Sequence, residues 1–267
     1  MHLYQRNYKK INKEEQNKYE EILLKEQAGR GIGKINYYSE YPEAVKHYIS
    51  LFPNNHIVLS DVKNTMDLRE INNQFLSLIQ KEDTNEQSIL RFINHSPQAY
   101  HIICSILSYC GFRIGHHDTY LFPEFRLGDK YRADYLILGK GSGGYEFVFV
   151  ELEKPHGWVT LKDGNPGKIM RDGNFQVNDW EYWIEGNFVE LKDFFEKEKS
   201  ELKTLPDELT KFDKTRVHYV VVAGMREDFS DKTYRYRREE SQKSDITFLH
   251  YNNLHEAAEL LVDRNTF

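Results

Sequence analysis

Cysteine is nearly absent from this sequence, and long apolar runs are absent altogether. Only Cys104 and Cys110 occur. They share one apolar segment without the CxxC spacing of a zinc site, and a pair this sparse fits a reducing cytosolic compartment. No stretch approaches the ~18 apolar residues of a membrane span. The opening residues, Met1 to Lys10, lack the apolar core of a signal peptide. The expectation is a soluble, cytoplasmic protein with no membrane partner. An excess of positive charge is missing too. A net charge of −6 over 267 residues argues against indiscriminate coating of nucleic acid, so any such contact must come from a local basic patch. The length allows one large domain, or one domain with a small companion.

Several catalytic signatures are also missing. Gly29-Arg30-Gly31-Ile32-Gly33-Lys34 lacks the Walker spacing and its Ser/Thr, and reads as an ordinary loop. There is no Gly-x-Ser-x-Gly and no convincing Cys–His pairing. His116-His117-Asp118 has the look of an HD phosphohydrolase ligand pair, yet the distant second His and Asp are not apparent, so a strand-entry turn is the better reading.

What is present centres on Val148 to Pro155. The run Phe147 to Val150 is β-branched and aromatic without polar alternation, the pattern of a strand buried on both faces. It ends in Glu151, Glu153 and Lys154, and burying a charge is costly unless it is paired or metal-bound. Glu151 and Glu153 share a strand face, and Lys154 points to the other unless a bulge turns it. A second strand, Tyr131 to Leu138, joins the first through the glycine-rich linker Gly139 to Gly144. Folding this hairpin sets Asp134 beside Glu151, at the ~4.8 Å strand spacing that lets two carboxylates share a divalent cation.

Asp134, then Glu151-Leu152-Glu153-Lys154-Pro155, then Gln176 on a following helix, resembles the PD-(D/E)XK nuclease signature. More narrowly the chain resembles the nuclease domain of the Shedu anti-phage defence proteins. The matching pieces are Leu90 to Pro97, Pro123 to Gly128, Arg132-Ala133-Asp134-Tyr135, Val150 to Pro155, and Gln176-Val177-Asn178-Asp179-Trp180. The match spans about residues 82 to 260. The resemblance implies an α/β fold with a restriction-endonuclease-like mixed β-sheet flanked by helices, below a mainly helical N-terminal region. It implies a metal-dependent DNA endonuclease of a bacterial defence system, acting as a homo-oligomer. Mg²⁺ or Mn²⁺ would sit on Asp134, Glu151, the Leu152 carbonyl and Glu153, since hard cations take oxygen ligands. Catalysis would fall to Asp134, Glu151, Glu153, Lys154 and Gln176.

The family's usual lysine slot holds Glu153 here, with Lys154 next to it. That leaves the water-activating group open: Glu153 completes the metal shell or acts as base, or Lys154 takes the lysine role across a bulge. It also leaves a second reading open, a nuclease-fold protein that binds nucleic acid or a phage factor without cutting. Glu124 is a second candidate, with a salt bridge to Arg126 or Arg132 as its plainer role. Arg132, Lys162, Lys168 and Arg171 are candidate DNA contacts. So are Arg235, Arg237 and Arg238, which interleave with aromatics in Lys232 to Arg238; an exposed helix answered by Glu239 and Glu240 is the alternative.

Along the chain, a capping box of Asn12 and Glu15 opens a helix over 12–28. Patterning predicts helices from Pro42 to about Leu51 and over 61–82, with a strand at Ile57 to Leu59. Residues 1–82 are an accessory region for specificity or assembly, or simply cover, and 83–267 the nuclease domain. There Thr84 and Gln87 cap a short helix to Asn94, and Ser96 with Pro97 opens a longer one ending at Gly111. Strands follow at 118–126, 131–138 and 145–153, then helices at 174–185 and 187–203. Strands at Arg216 to Met225 and Ile246 to Tyr251 and a helix at Asn253 to Val262 complete the pattern.

Overall fold

A computed structural model describes residues 3–28, 42–59, 62–63, 68–95, 97–109, 114–244, 246–264 and 266–267. The loop Gly29 to Lys34, Ser96, Cys110 and Gly111 lie outside them. Five strands form one mixed sheet in the order β1 (Asp118–Leu127), β2 (Tyr131–Gly141), β3 (Gly144–Leu152), β4 (Val217–Val222), β5 (Ile246–Leu249). β1, β2 and β3 make an antiparallel meander; β4 and β5 continue parallel to β3. The β2–β3 turn is tighter than the glycine-rich linker suggests: Gly139 to Gly141 belong to β2, and only Ser142 and Gly143 turn the chain, with Gly144 at φ 105°.

Strand periodicity sorts the sheet's side chains into two cores. Tyr135, Ile137, Val148, Val150, Leu152, Val220 and Val222 lie in one; Leu136, Leu138, Phe147, Phe149, Tyr219 and Val221 lie in the other. Helices α3 (Leu68–Ile79), α4 (Glu86–His95), α5 (Tyr100–Cys104), α6 (Ile106–Tyr109) and α9 (Tyr251–Leu261) contribute to the first, and α7 (Lys168–Glu198) to the second. α8 (Asp231–Lys243) packs Tyr234 and Tyr236 on the second core. α1 (Lys13–Ala28) and α2 (Pro42–Ile49) precede them. The first core also takes Leu3, Ile57, Ile71 and Phe75, so it draws on both sides of residue 82. About half the chain is helical, and the class is α/β.

The Asn12–Glu15 capping box forms in both directions, at 2.9 and 3.0 Å. Other expectations need correction. Ile57 to Leu59 is no strand: Ile57 N–H donates to Thr119 O and Leu121 N–H to Asn55 O, each 2.9 Å, around one bridge from His56 to Tyr120, and Leu59 is already helical. The cap of α4 is Asn85, whose Oδ1 accepts from Ser88 N at 3.0 Å, while Thr84 Oγ1 donates to Leu78 O. The long helix after Pro97 breaks into a 3₁₀ turn (Pro97–Ala99), α5 and α6. At the break Ser105 Oγ donates to Ile102 O at 2.7 Å, a side chain competing for a helix carbonyl. Conversely, the two helices expected at 174–185 and 187–203 are one, starting six residues earlier at Lys168. It kinks at Asn187 (φ −132°, ψ 23°), where Asn187 Nδ2 donates to Trp183 O at 2.8 Å.

Candidate active site

The acids expected at the end of β3 meet there, and the sheet bends to bring them in. On β1, Phe122 and Phe125 lie in the same core although three residues apart, because Glu124 adopts φ 48° and inverts the side-chain alternation. Left-handed backbone costs a non-glycine residue roughly 1–2 kcal/mol. Such an outlier at a cluster of acids is the kind of strain that functional sites hold. Opposite it, the β2–β3 ladder stops at Tyr135↔Val150. One step further Asp134 faces Glu151, and Asp134 Oδ2 accepts the Leu152 N–H at 2.7 Å in place of a ladder carbonyl.

Glu151 is only 5% exposed and lies on the α7 side of the sheet, where the Gln176 amide donates to its carboxylate. Glu153 shares that face, as a period of two requires. It sits against Gly173 of α7: a Cβ there would meet Val221 Cγ1 at 2.6 Å and Glu153 Cγ at 3.2 Å, so only glycine lets the helix come this close. The Glu153 backbone is pinned on both sides, its N–H donating to Val222 O at 2.8 Å and its carbonyl accepting from the Tyr251 hydroxyl at the start of α9. Lys154 is exposed and its charge acts on Glu86.

Glu86, in the first turn of α4, completes this ring of acids from the other side of the sheet. Nothing in the sequence marks it, because an acid in a first helical turn is ordinary support for the helix dipole and carries no spacing toward β3. Its presence shows in the titration of its neighbours. Burial pushes the Glu151 carboxyl far up, and Asp134, Glu153 and Glu86 push it further, against the Gln176 hydrogen bond. Asp134 rises for the same first reason, opposed by the Leu152 N–H and reinforced by Glu86. Glu153 is pushed up to about 7 by burial, then by Glu86, Asp172 and Asp134. Glu86 is raised by burial, with Lys154 and Arg132 opposing. Among the described residues, no three His, Cys, Asp or Glu side chains converge closely enough to form a ready-made metal cluster.

Residues 45–255 match a family model described as Shedu protein SduA, C-terminal. The chain belongs to this family. No curated protein matches it. The match bears out the resemblance to the Shedu proteins and supports a role in anti-phage defence. In this Shedu chain Glu124 Oε1 pairs with Arg132 Nη1 at 3.1 Å at the site's rim. Of the other candidate cations, Lys162 is exposed, Lys168 pairs with Asp172 at 2.5 Å and Arg171 donates to Pro166 O at 3.1 Å. These three flank the start of α7.

α8 is tied to the same end of the sheet, since Lys232 Nζ donates to Asp163 O at 2.6 Å and Asn174 Nδ2 of α7 to the Tyr236 hydroxyl at 3.3 Å. Its aromatics are anchors rather than stacking surfaces. Tyr234 packs on Phe229 and Tyr236 on Phe248, with ring centroids 5.4 and 5.8 Å apart. Arg235 is answered by Glu239 at 2.8 Å, whereas Arg238 is exposed and Arg237 half-exposed. The His116 and His117 rings meet at a tilt ahead of β1, at 4.3 Å between centroids, and the His117 backbone N–H donates to Lys140 O. Among the described residues no helix is long and apolar enough to cross a membrane.

Proposed function

We propose that the chain is a metal-dependent DNA endonuclease of an anti-phage defence system, with a restriction-endonuclease-like core of the PD-(D/E)XK kind. The observation that carries this is the Asp134–Glu151 pair, a half-buried and an almost fully buried carboxylate facing each other from neighbouring strands, both driven toward the protonated form by burial. A fold does not retain so unfavourable an arrangement without a compensating charge. The donor set fits a hard divalent cation, Mg²⁺ or Mn²⁺: all ligating atoms are oxygens, and Asp134 and Glu151 would hold the ion with the Leu152 carbonyl and Glu153 beside them. When bound, such an ion supplies Lewis-acid stabilisation of charge on a phosphodiester and lowers the pKa of water.

The chain's own residues do the remaining work. Leu152 N–H fixes the Asp134 carboxylate, and Gln176 fixes that of Glu151. Glu153, half-buried on the same face, takes the proton of the attacking water, its raised pKa matching a general base near neutrality. Arg132, the cations flanking α7 and the arginines of α8 hold the DNA backbone. We also propose, from the resemblance to the Shedu proteins alone, a homo-oligomer as the acting form.

Purified protein incubated with supercoiled plasmid or linear DNA and Mg²⁺ or Mn²⁺ should cut it, and Glu151→Ala prepared alongside should not. Equal cutting by both would expose a contaminant. Binding without cutting would favour the second reading, a nuclease fold that only binds, for which the lack of a three-acid cluster among the described residues is the supporting observation.

Converting Arg235, Arg237 and Arg238 together to Ala should weaken DNA binding and flatten its salt dependence by roughly 0.9 for each phosphate no longer neutralised. Filter binding between low and moderate salt reads this directly. An unchanged slope would mean α8 is merely a solvated helix.

A further inference from the structure

A cavity unconnected with any step above lies between α3 and α4. Its volume of about 510 Å³ falls inside the ~300–1,000 Å³ range of small-molecule sites. Ile71, Leu78, Phe92 and Ala99 line it with apolar surface, and Arg91 and His95 stand in the same lining without any carboxylate. Arg6, Arg69, Arg132, Arg216, Arg226 and Arg235 each have an acidic partner, whereas Arg126, Arg237 and Arg238, like Arg91, have none among the described residues. Arg91 is exposed. A guanidinium left unpaired beside an apolar hollow is complementary to a ligand that brings its own negative charge, and its planar donors suit a carboxylate, sulfonate or phosphate.

We propose that this groove binds a small amphiphilic anion, with an apolar body filling the space over Leu78 and Phe92 and one acidic group held by Arg91. Both halves of the ligand are needed. The apolar lining supplies affinity in proportion to the surface removed from water, and the cation selects charged over neutral molecules of the same shape. α4 also carries Glu86 into the ring of acids, so a ligand wedged against Phe92 bears on the same rigid helix.

The probes are 8-anilinonaphthalene-1-sulfonate and its uncharged analogue N-phenyl-1-naphthylamine, titrated by fluorescence against the full chain. The sulfonate should bind saturably with one equivalent per chain and more tightly than the neutral probe. Arg91→Ala should weaken the sulfonate about tenfold, or ~1.4 kcal/mol, and leave the neutral probe within about twofold. Arg91→Lys should retain most of the sulfonate's affinity. Gln74→Trp, at an exposed position in the lining, should fill the groove and abolish both signals while circular dichroism stays native. The proposal is overturned by an absence of saturable binding, by Arg91→Ala leaving the sulfonate unchanged, or by Gln74→Trp retaining both probes. Equal affinity for the two probes would make the groove a purely apolar docking surface and overturn it as well.

Discussion

Glu151→Gln is expected to abolish DNA cleavage, by about 10³-fold or more, equivalent to ~4 kcal/mol of transition-state stabilisation, and at the same time to make the metal-free protein more stable. The two effects have one cause. Glu151 is almost fully buried next to Asp134, with Glu153 and Glu86 adding negative charge. Its carboxylate is therefore disfavoured in the fold and favoured only with a cation. The glutamine keeps the shape and can still meet Gln176, but it cannot be ionised. Removing a carboxyl that the metal-free fold can hold only by keeping it protonated should contribute on the order of 1–3 kcal/mol near neutral pH, and each kcal/mol moves the melting temperature of a chain this size by roughly 2–4 °C. The pH dependence follows in sign. A carboxyl whose pKa is raised by folding stabilises the fold while protonated, so that stability is fully present below the ordinary value of 4.5 and is lost as pH rises from there toward the raised value of about 10. Thermal melts of the wild-type protein without divalent ions should fall across that window, and Mg²⁺ or Mn²⁺ should restore them; Glu151→Gln should show a shallower fall and little response to the ions. A Glu151→Gln protein that melts earlier and still gains several degrees from Mn²⁺ would refute the assignment of this carboxylate.

The next largest effect is expected at Glu153. Glu153 lies on the face of Glu151, against Gly173, while Lys154 is exposed with its charge on Glu86. Glu153→Gln keeps size and hydrogen bonding but cannot accept the proton of the attacking water, so cleavage should fall by about 10²- to 10⁴-fold with DNA affinity intact or higher. Lys154→Met should cost far less. The opposite ranking would mean that the strand rearranges on binding and that lysine activates the water.

Much of this site was legible because its parts obey local rules. The unbroken apolar run before Glu151 marks a central strand, and counting residues from the hairpin turn is enough to set Asp134 opposite Glu151. Gln176 follows from helical periodicity in the stretch after the connection. Glu86 was not legible, because its approach to β3 is made by packing α4 against the first core and leaves no spacing in the chain. The inversion at Glu124 was equally hidden, since a non-glycine residue gives no hint of a positive φ. Helix boundaries failed where side chains compete with the backbone: Ser105 breaks a helix whose apolar stripe reads as continuous, whereas Asn187 only kinks one whose pattern reads as two. Ile57 and Val58 are strand-forming residues, but Asn55 to Ile57 makes just two backbone bonds to β1 before Leu59 turns away. The aromatics of α8 alternate with bases in sequence, yet helical geometry turns Tyr234 and Tyr236 inward, which sequence adjacency conceals.

The most direct measurement is diffraction from crystals of the wild-type protein soaked in Mn²⁺, collected where manganese scatters anomalously. The account predicts one strong anomalous peak between the carboxylates of Asp134 and Glu151, absent from Glu151→Gln crystals soaked in the same way. A peak elsewhere with none between these two side chains would contradict it.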